Sequence, residues 1–298
     1  MRRSGFIAIS GQPNVGKSTM LNGFLKEKLA IISERPETTR DNIRGILTDK
    51  ECQIIFVDTP GIHKPHDLLG KLMLSRAQSS LMESDIVIFV TEKRLALNEN
   101  DRNIIERLPR PEEDKKVILV INKVDKVKDK KLLLPIIEEA GKLYPFNEII
   151  PICALDQSDI EKLLIIIKSY LPEGPLFYPE EQLTDKSEHF IIQELIREKT
   201  LVFTYEEVPH SVAVVVDNIE RDEDKGGLNI QATIYVERTS QKSIIIGKKG
   251  EMIKRIGKEA RSDIEKFLGE HIYLDLWVKV KKKWKKDPGA LEEPGYTD

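Results

Sequence analysis

Gly11-Gln12-Pro13-Asn14-Val15-Gly16-Lys17-Ser18 stands between an apolar run over residues 6–10 and an amphipathic stretch over residues 17–25. Its spacing, G-x-x-x-x-G-K-[ST], is that of a phosphate loop joining a strand to a helix. Glycines at Gly11 and Gly16 let the backbone wrap closely and turn N–H groups inward, and the positive end of the following helix adds to the field. Lys17 reaches phosphate oxygens, and the Ser18 hydroxyl suits Mg²⁺. Outward from this loop the alternation continues. Strand patterns are expected at residues 43–48, 53–57, 86–90, 117–121 and 149–152, and helical patterns at 68–82, 99–108, 132–143 and 160–171. That repetition predicts an α/β fold with a mainly parallel sheet and helices on both faces. The strand patterns meeting around Asp49-Lys50 predict a hairpin, and so one antiparallel strand at the sheet edge.

With 298 residues, two domains are expected. Pro172-Glu173-Gly174-Pro175, then Pro179 and a polar stretch to Lys186, cannot continue a helix. The expected division is residues 1–175, a linker at 176–186, and a second domain at 187–298. The net charge of -3 conceals a segregation, because residues 238–286 alone carry +9 and the remainder therefore -12. A basic surface is expected at the C-terminal end and no general affinity for polyanions elsewhere. Cys52 and Cys153 lie in apolar runs and read as small buried residues in a reducing cytosol, with no metal-ligand spacing. No secretory apolar region and no membrane-spanning run is present, so a cytoplasmic location is expected.

Two further motifs identify the nucleotide. Asp58-Thr59-Pro60-Gly61 follows an apolar strand, where a carboxylate can enter the Mg²⁺ shell and the Gly61 N–H can meet a γ-phosphate. Asn122-Lys123-Val124-Asp125 matches N-K-x-D at the end of another strand. The Asp125 carboxylate can accept from guanine N1 and the 2-amino group; adenine offers neither donor. Sites with such complementary pairs discriminate by roughly 10⁴–10⁵. A phosphate-loop kinase of a small molecule would lack this guanine-reading set. GTP or GDP is the expected ligand, with Mg²⁺.

In order and spacing these motifs resemble those of Ras-like GTPases, whose sheet also carries one antiparallel strand. Glu37-Thr38-Thr39-Arg40-Asp41 resembles the first switch of the class, in which the threonine before Arg completes the Mg²⁺ shell. That points to Thr39, with Thr38 as the alternative. Metal ligands are then expected at Ser18, Thr39 and Asp58. Nucleotide contacts are expected from Gly11, Asn14, Gly16, Lys17, Ser18, Thr19, Asp58, Asn122, Lys123 and Asp125. To these are added Cys153-Ala154-Leu155, where related proteins read Ser-Ala-Leu and offer a backbone N–H to the guanine oxygen. Catalytic roles fall to Lys17, Thr39, Gly61 and Asn14. Ile62 occupies the position of the water-orienting glutamine in Ras, so slow turnover is expected; Ras without its activator is near 10⁻⁴ s⁻¹, to order of magnitude. Asn14 either holds K⁺ beside the phosphates, as in relatives with an apolar switch, or is a plain loop residue.

Beyond the linker the expected order is helix (190–199), strand (211–220), strand (228–236), helix (250–256), helix (258–268) and strand (271–280). Ile245-Ile246-Gly247-Lys248-Lys249-Gly250-Glu251-Met252-Ile253-Lys254-Arg255-Ile256 resembles the core of a KH domain. Its Gly-x-x-Gly loop clamps the backbone of single-stranded nucleotides, and the order of elements suits the type II topology. Ile253 and Ile256 are expected to pack the following helix onto the sheet. The expected RNA contacts are Ile246, Gly247, Lys248, Lys249, Gly250 and Lys254, with Lys281, Lys282 and Lys283 from the basic tail. Trp284 either stacks on a base or belongs to a solvated, flexible end.

With all motifs in place the chain resembles the Era family of ribosome-assembly GTPases over nearly its whole length. The carrying segments include residues 11–18, Asp58-Thr59-Pro60-Gly61-Ile62-His63-Lys64-Pro65, Leu171-Pro172-Glu173-Gly174-Pro175 with Tyr178-Pro179, Arg197-Glu198-Lys199, and the 247–250 loop. The resemblance implies a Ras-like GTPase domain followed by a type II KH domain, hydrolysing GTP to GDP and phosphate. It further implies binding of 16S ribosomal RNA near its 3′ end and a role in maturation of the 30S subunit. A monomer that is cytoplasmic, with a peripheral inner-membrane fraction, completes the expectation.

Overall fold

The computed structural model describes residues 2–33, 35, 37–93, 96–110, 115–221, 226–292 and 294–296, with only the backbone of Lys130. Two compact units emerge. The first comprises Met1–Ala30, Thr39–Lys64 and Met73–Asp185; the second comprises Ile31–Thr38, Pro65–Leu72 and Lys186–Asp298.

The first unit is built on a six-stranded sheet in the order β2-β3-β1-β4-β5-β6. The strands are β1 (Arg3–Gly11), β2 (Ile43–Thr48), β3 (Cys52–Asp58), β4 (Ile86–Glu92), β5 (Lys116–Asn122) and β6 (Glu148–Pro151). All pairings are parallel except β2 with β3, the expected edge hairpin. Its turn is held by the Asp49 carboxylate, which accepts from the amides of Glu51 at 2.8 Å and Cys52 at 2.9 Å. Every residue of β3 is buried, as are almost all of β4 and β5, as befits strands covered on both faces. The helices are α1 (Lys17–Leu25), α2 (Leu68–Glu83, within this unit from Met73 onward), α3 (Glu99–Ile105), α4 (Leu134–Leu143) and α5 (Gln157–Tyr170).

Residues 172–185 pack on this unit as a strap. Ser4 donates to Pro172 O at 3.0 Å, and Ile46 of β2 donates to Leu183 O at 2.8 Å. Buried Gln53 accepts from the amides of Phe177 and Tyr178 and donates to Tyr178 O at 2.8 Å. Arg44 pairs with Asp185 at 2.8 Å. The strap thereby occupies backbone groups of edge strand β2 that would otherwise invite another chain.

The second unit has a three-stranded sheet in the order β7-β8-β9: β7 (Ala213–Arg221), β8 (Leu228–Val236) and β9 (Ile272–Val280). β7 runs antiparallel to β8, and β9 parallel to it. Its helices are α6 (Glu188–Phe203), α7 (Val208–Ser211), α8 (Thr239–Ile246), α9 (Glu251–Leu268) and α10 (Pro288–Glu292). The two helical patterns expected at 250–256 and 258–268 are one continuous helix, α9. Gly257 does not break it, because Ile256, Ala260 and Ile264 form one buried stripe across the glycine. Ile253, also expected to pack on the sheet, is only half-buried. The additional helix α8 lies between β8 and residue 250, where no helix was expected. Gln241 fixes its start by accepting from the amides of Glu237 at 3.0 Å and Arg238 at 2.9 Å.

Trp284 is fully buried, donates from Nε1 to Ser211 O at 2.9 Å, and stacks on Tyr296 at 6.0 Å. It is a core residue, which corrects both readings of the tail. Arg197 of α6 is buried as well. Its Nε donates to Glu194 Oε1 at 2.7 Å, and its Nη2 reaches Glu194 Oε2 and the carbonyl of Thr38, all within this unit.

Candidate functional site

The loop after β1 takes backbone conformations that side chains resist: φ is 150° at Gly11, 64° at Asn14 and 105° at Gly16. The glycines are there for space as well. A Cβ on Gly11 would lie 2.2 Å from Val90 O, and one on Gly16 would lie 2.1 Å from Asn122 Nδ2. Lys17 is buried at the start of α1, and its ammonium donates to Gln12 O at 2.9 Å and Gly11 O at 3.3 Å. Burial lowers its pKa to about 8, with Asp58 opposing the shift.

Ser18, Thr39 and Asp58 converge. Ser18 Oγ donates to Asp58 Oδ2 at 2.6 Å and lies 3.1 Å from Thr39 Oγ1, which is 3.4 Å from the same carboxylate oxygen. Asp58 Oδ1 is buried and has no hydrogen-bond partner among the described residues. Burial raises the Asp58 pKa, with Lys17, Ser18 and Thr39 pulling the other way. Two hydroxyls and a carboxylate with a spare oxygen form a hard-oxygen donor set, and Mg²⁺ fits it. Of the two candidate threonines, Thr39 faces this cluster; the Thr38 hydroxyl donates to Arg35 O at 2.6 Å.

After β3, the Thr59 hydroxyl and amide both donate to Ile9 O, fixing the turn into Gly61. A Cβ on Gly61 would meet Pro13 N at 2.8 Å, so glycine is needed for the close approach to the phosphate loop. Ile62 is buried in the hydrophobic core with Ala8, Ala77 and Leu81. It is thus directed away from any role in holding water, for a packing reason as well as the chemical one.

The segment expected to read the base, Asn122-Lys123-Val124-Asp125, is a joint between loops. Asn122 is buried. Its Nδ2 donates to Val15 O at 2.8 Å, and its Oδ1 accepts from the amides of Lys123 at 2.7 Å and Ala154 at 2.9 Å. Its side chain therefore ties together loops, and within the 153–155 segment, expected to offer a backbone N–H to the base, it engages the Ala154 amide. Lys123 donates to Asn14 O at 2.7 Å and pairs with Glu92 at 2.8 Å. Asp125 is exposed, as are Leu155 and Asn14; Thr19 is half-buried. Cys153 is not buried in a strand as expected, because β6 ends at Pro151 and the thiol lies half-exposed in the following loop. Burial raises its pKa, and so does its hydrogen bond to the Asp125 carboxylate, against a lowering contact with the Leu155 amide.

In the second unit the 247–250 loop joins α8 to α9. At Gly247, with φ 72°, a Cβ would lie 2.6 Å from Met252 Cβ. At Gly250, with φ 80°, a Cβ would meet nothing within 4 Å. The loop is thus closed on its inner side and open outward. Lys248, Lys249 and Lys254 are exposed, and Ile246 is half-buried. In the tail, Lys282 and Lys283 are exposed, whereas Lys281 is half-buried with its ammonium 5.6 Å from the centre of the Tyr235 ring.

Residues 6–123 match the 50S ribosome-binding GTPase family, and residues 207–285 match the KH domain family. The chain is 48% identical over 297 residues to GTPase Era of Clostridium tetani, covering 99% of each protein. It is 46% identical over 296 residues to GTPase Era of Clostridium kluyveri, covering 99% of this chain and all of that one. Among solved structures, Era in complex with MgGDPNP and nucleotides 1506–1542 of 16S ribosomal RNA superposes with a TM-score of 0.96 at 41% identity, over the full length of both chains. A form of Aquifex aeolicus Era bound to GDP and AlF₄⁻ gives 0.95 at 41% identity, over 99% of this chain and all of that one.

Proposed function

The chain belongs to the Era family of GTPases, and on that premise we propose that it couples its GTP cycle to binding of 16S ribosomal RNA near the 3′ end, and so assists 30S subunit assembly. It is a GTPase, converting GTP to GDP and phosphate. The observation that carries the proposal is the full-length likeness to an Era structure holding both MgGDPNP and nucleotides 1506–1542 of that RNA.

In this reading Lys17 exchanges the carbonyls of Gly11 and Gln12 for phosphate oxygens, while the inward amides of residues 11–19 hold the rest of the phosphate chain. Ser18, Thr39 and Asp58 hold Mg²⁺, which when bound neutralises charge on the phosphates. Asp125 reads guanine, and the Gly61 amide faces the γ-phosphate. With Ile62 in the core, hydrolysis is slow, and Asn14 would hold K⁺, which would supply positive charge to offset that of the transition state. Lys248 and Lys249 supply charge to an RNA strand clamped by Gly247 and Gly250, with Ile246, Lys254 and Lys281–Lys283 alongside. Residues 1–175 act as the GTPase domain and 187–298 as the RNA-binding domain of a monomer. A fraction associates peripherally with the inner membrane, a reading supported by the family resemblance alone; among the described residues no helix is long and apolar enough to cross a membrane.

The test is Lys248→Asp with Lys249→Asp. Both side chains are exposed, so stability should change by no more than about 0.5 kcal/mol. Filter binding to single-stranded RNA from the small-subunit 3′ end, over a salt series, should show lost affinity and a shallower salt slope. GTP affinity should be unchanged. RNA binding equal to the parent's would place the contact elsewhere and overturn the assignment of this loop.

A further inference from the structure

A phosphate loop aims its amide dipoles at one point, where they repel one another until an anion arrives, so its outer side needs anchors. On one side these are Asn122 to Val15 O and Lys123 to Asn14 O. The start of the loop is pinned differently, by its own Gln12, which sequence reading treats as a spacer. Gln12 is buried, and its Nε2 donates to Asp101 Oδ1 at 2.6 Å and to Asn98 Oδ1 at 2.9 Å. Those acceptors form the capping box of α3: Asn98 Oδ1 accepts from Asp101 N at 2.8 Å, and Asp101 Oδ2 accepts from Asn98 N at 3.4 Å. Asp101 is fully buried. The box is itself braced from α4, where Glu139 accepts from Leu97 N at 2.9 Å and pairs with Arg102 at 2.5 Å.

We propose that Gln12, held by Asn98 and Asp101, is a positioning residue that sets the phosphate loop, and through it Lys17, for guanine nucleotide. The link to Lys17 is direct, because the Gln12 carbonyl is the nearer of the two that receive its ammonium. Pinning the side chain fixes the peptide whose oxygen parks the lysine and whose neighbours carry the strained turns at Gly11 and Asn14. Hydrogen bonds to a buried carboxylate are the strong kind, so their loss is felt in loop geometry rather than absorbed by solvent.

The proposal rests on the nucleotide-site reading above, and one assay separates the two. Binding of Mg·GDP is measured on the full chain for the parent, Gln12→Met, Asp101→Ala, the double variant, and Gln12→Arg. Failure of the parent to bind GDP would sink the site reading itself. With the parent binding, Gln12→Met should weaken GDP about tenfold, while the preference for GDP over ADP is kept, because the Asp125 segment is untouched. The double variant should be no weaker than the worse single variant, the signature of residues acting as one unit. Gln12→Arg, which supplies N–H donors for the same carboxylate, should recover most of the loss. A general folding defect would not be rescued by arginine, nor would it spare base preference. Gln12→Met binding within about twofold of the parent, or full additivity with Asp101→Ala, overturns the proposal.

Discussion

Replacing Arg197 by Met should be among the most destabilising single changes in the second unit, and the structure says why. The guanidinium is fully buried and held by Glu194 through Nε and Nη2, with Nη2 also serving the carbonyl of Thr38. Burial works against its charge, yet Glu194, with lesser contributions from Tyr296 and Glu198, raises its pKa above that of a free arginine. Methionine matches the stem but leaves the Glu194 carboxylate buried without its cation. Breaking a buried pair from one side costs about 3–5 kcal/mol, against a total of roughly 5–15 kcal/mol for a domain. At roughly 4 °C per kcal/mol, the unfolding midpoint should fall by about 12–20 °C. The assay follows from the sequence, because both tryptophans, Trp277 and Trp284, lie in the second unit. Tryptophan emission during urea unfolding therefore reports that unit and not the first. Arg197→Met with Glu194→Met removes both charges, and with Nη1 of Arg197 already lacking a partner among the described residues, the pair should cost less than the single change. A loss below about 1 kcal/mol for Arg197→Met, or a double variant as unstable as the single one, would refute this account of the buried pair.

Asp125→Asn replaces a double acceptor by a group with a donor toward guanine, so preference should move from GTP to xanthosine triphosphate; competition binding that leaves GTP affinity unchanged would remove Asp125 from base reading. The lowered Lys17 pKa of about 8 makes nucleotide binding proton-linked. Below pH 8 the free protein already carries the ammonium; above it the proton must be taken up on binding, so GDP affinity should fall as pH rises. At pH 8.5 calorimetry in buffers of different ionisation enthalpy should detect net proton uptake on binding, and no uptake would contradict the buried lysine. Single-turnover hydrolysis should be faster in K⁺ than in Na⁺ at equal ionic strength, with the difference lost in Asn14→Ala; equal rates in the parent would dismiss the ion.

What the sequence determined by itself is chemistry carried by short, contiguous motifs. The phosphate loop, Asp58-Thr59-Pro60-Gly61, Asn122-Lys123-Val124-Asp125 and the Gly-x-x-Gly loop are each a local backbone shape plus one or two side chains, so spacing alone exposes them. The sheet strands were legible for the same reason, since strands buried on both faces are apolar throughout. What only the tertiary structure decided depends on partners distant in the chain. Gly16 must be glycine because Asn122 crosses it, and Thr39 rather than Thr38 meets Ser18 and Asp58. Trp284 sits among lysines in sequence yet closes a core against Ser211 and Tyr296. Gly257 reads as a break, but packing along Ile256, Ala260 and Ile264 outweighs a local cost of about 1 kcal/mol. The strap over β2 and the Gln12–Asp101 bond have no sequence signature. They arise from polar groups that find each other only once the sheet has set their places, because a buried donor must be satisfied by whatever acceptor the fold brings within reach.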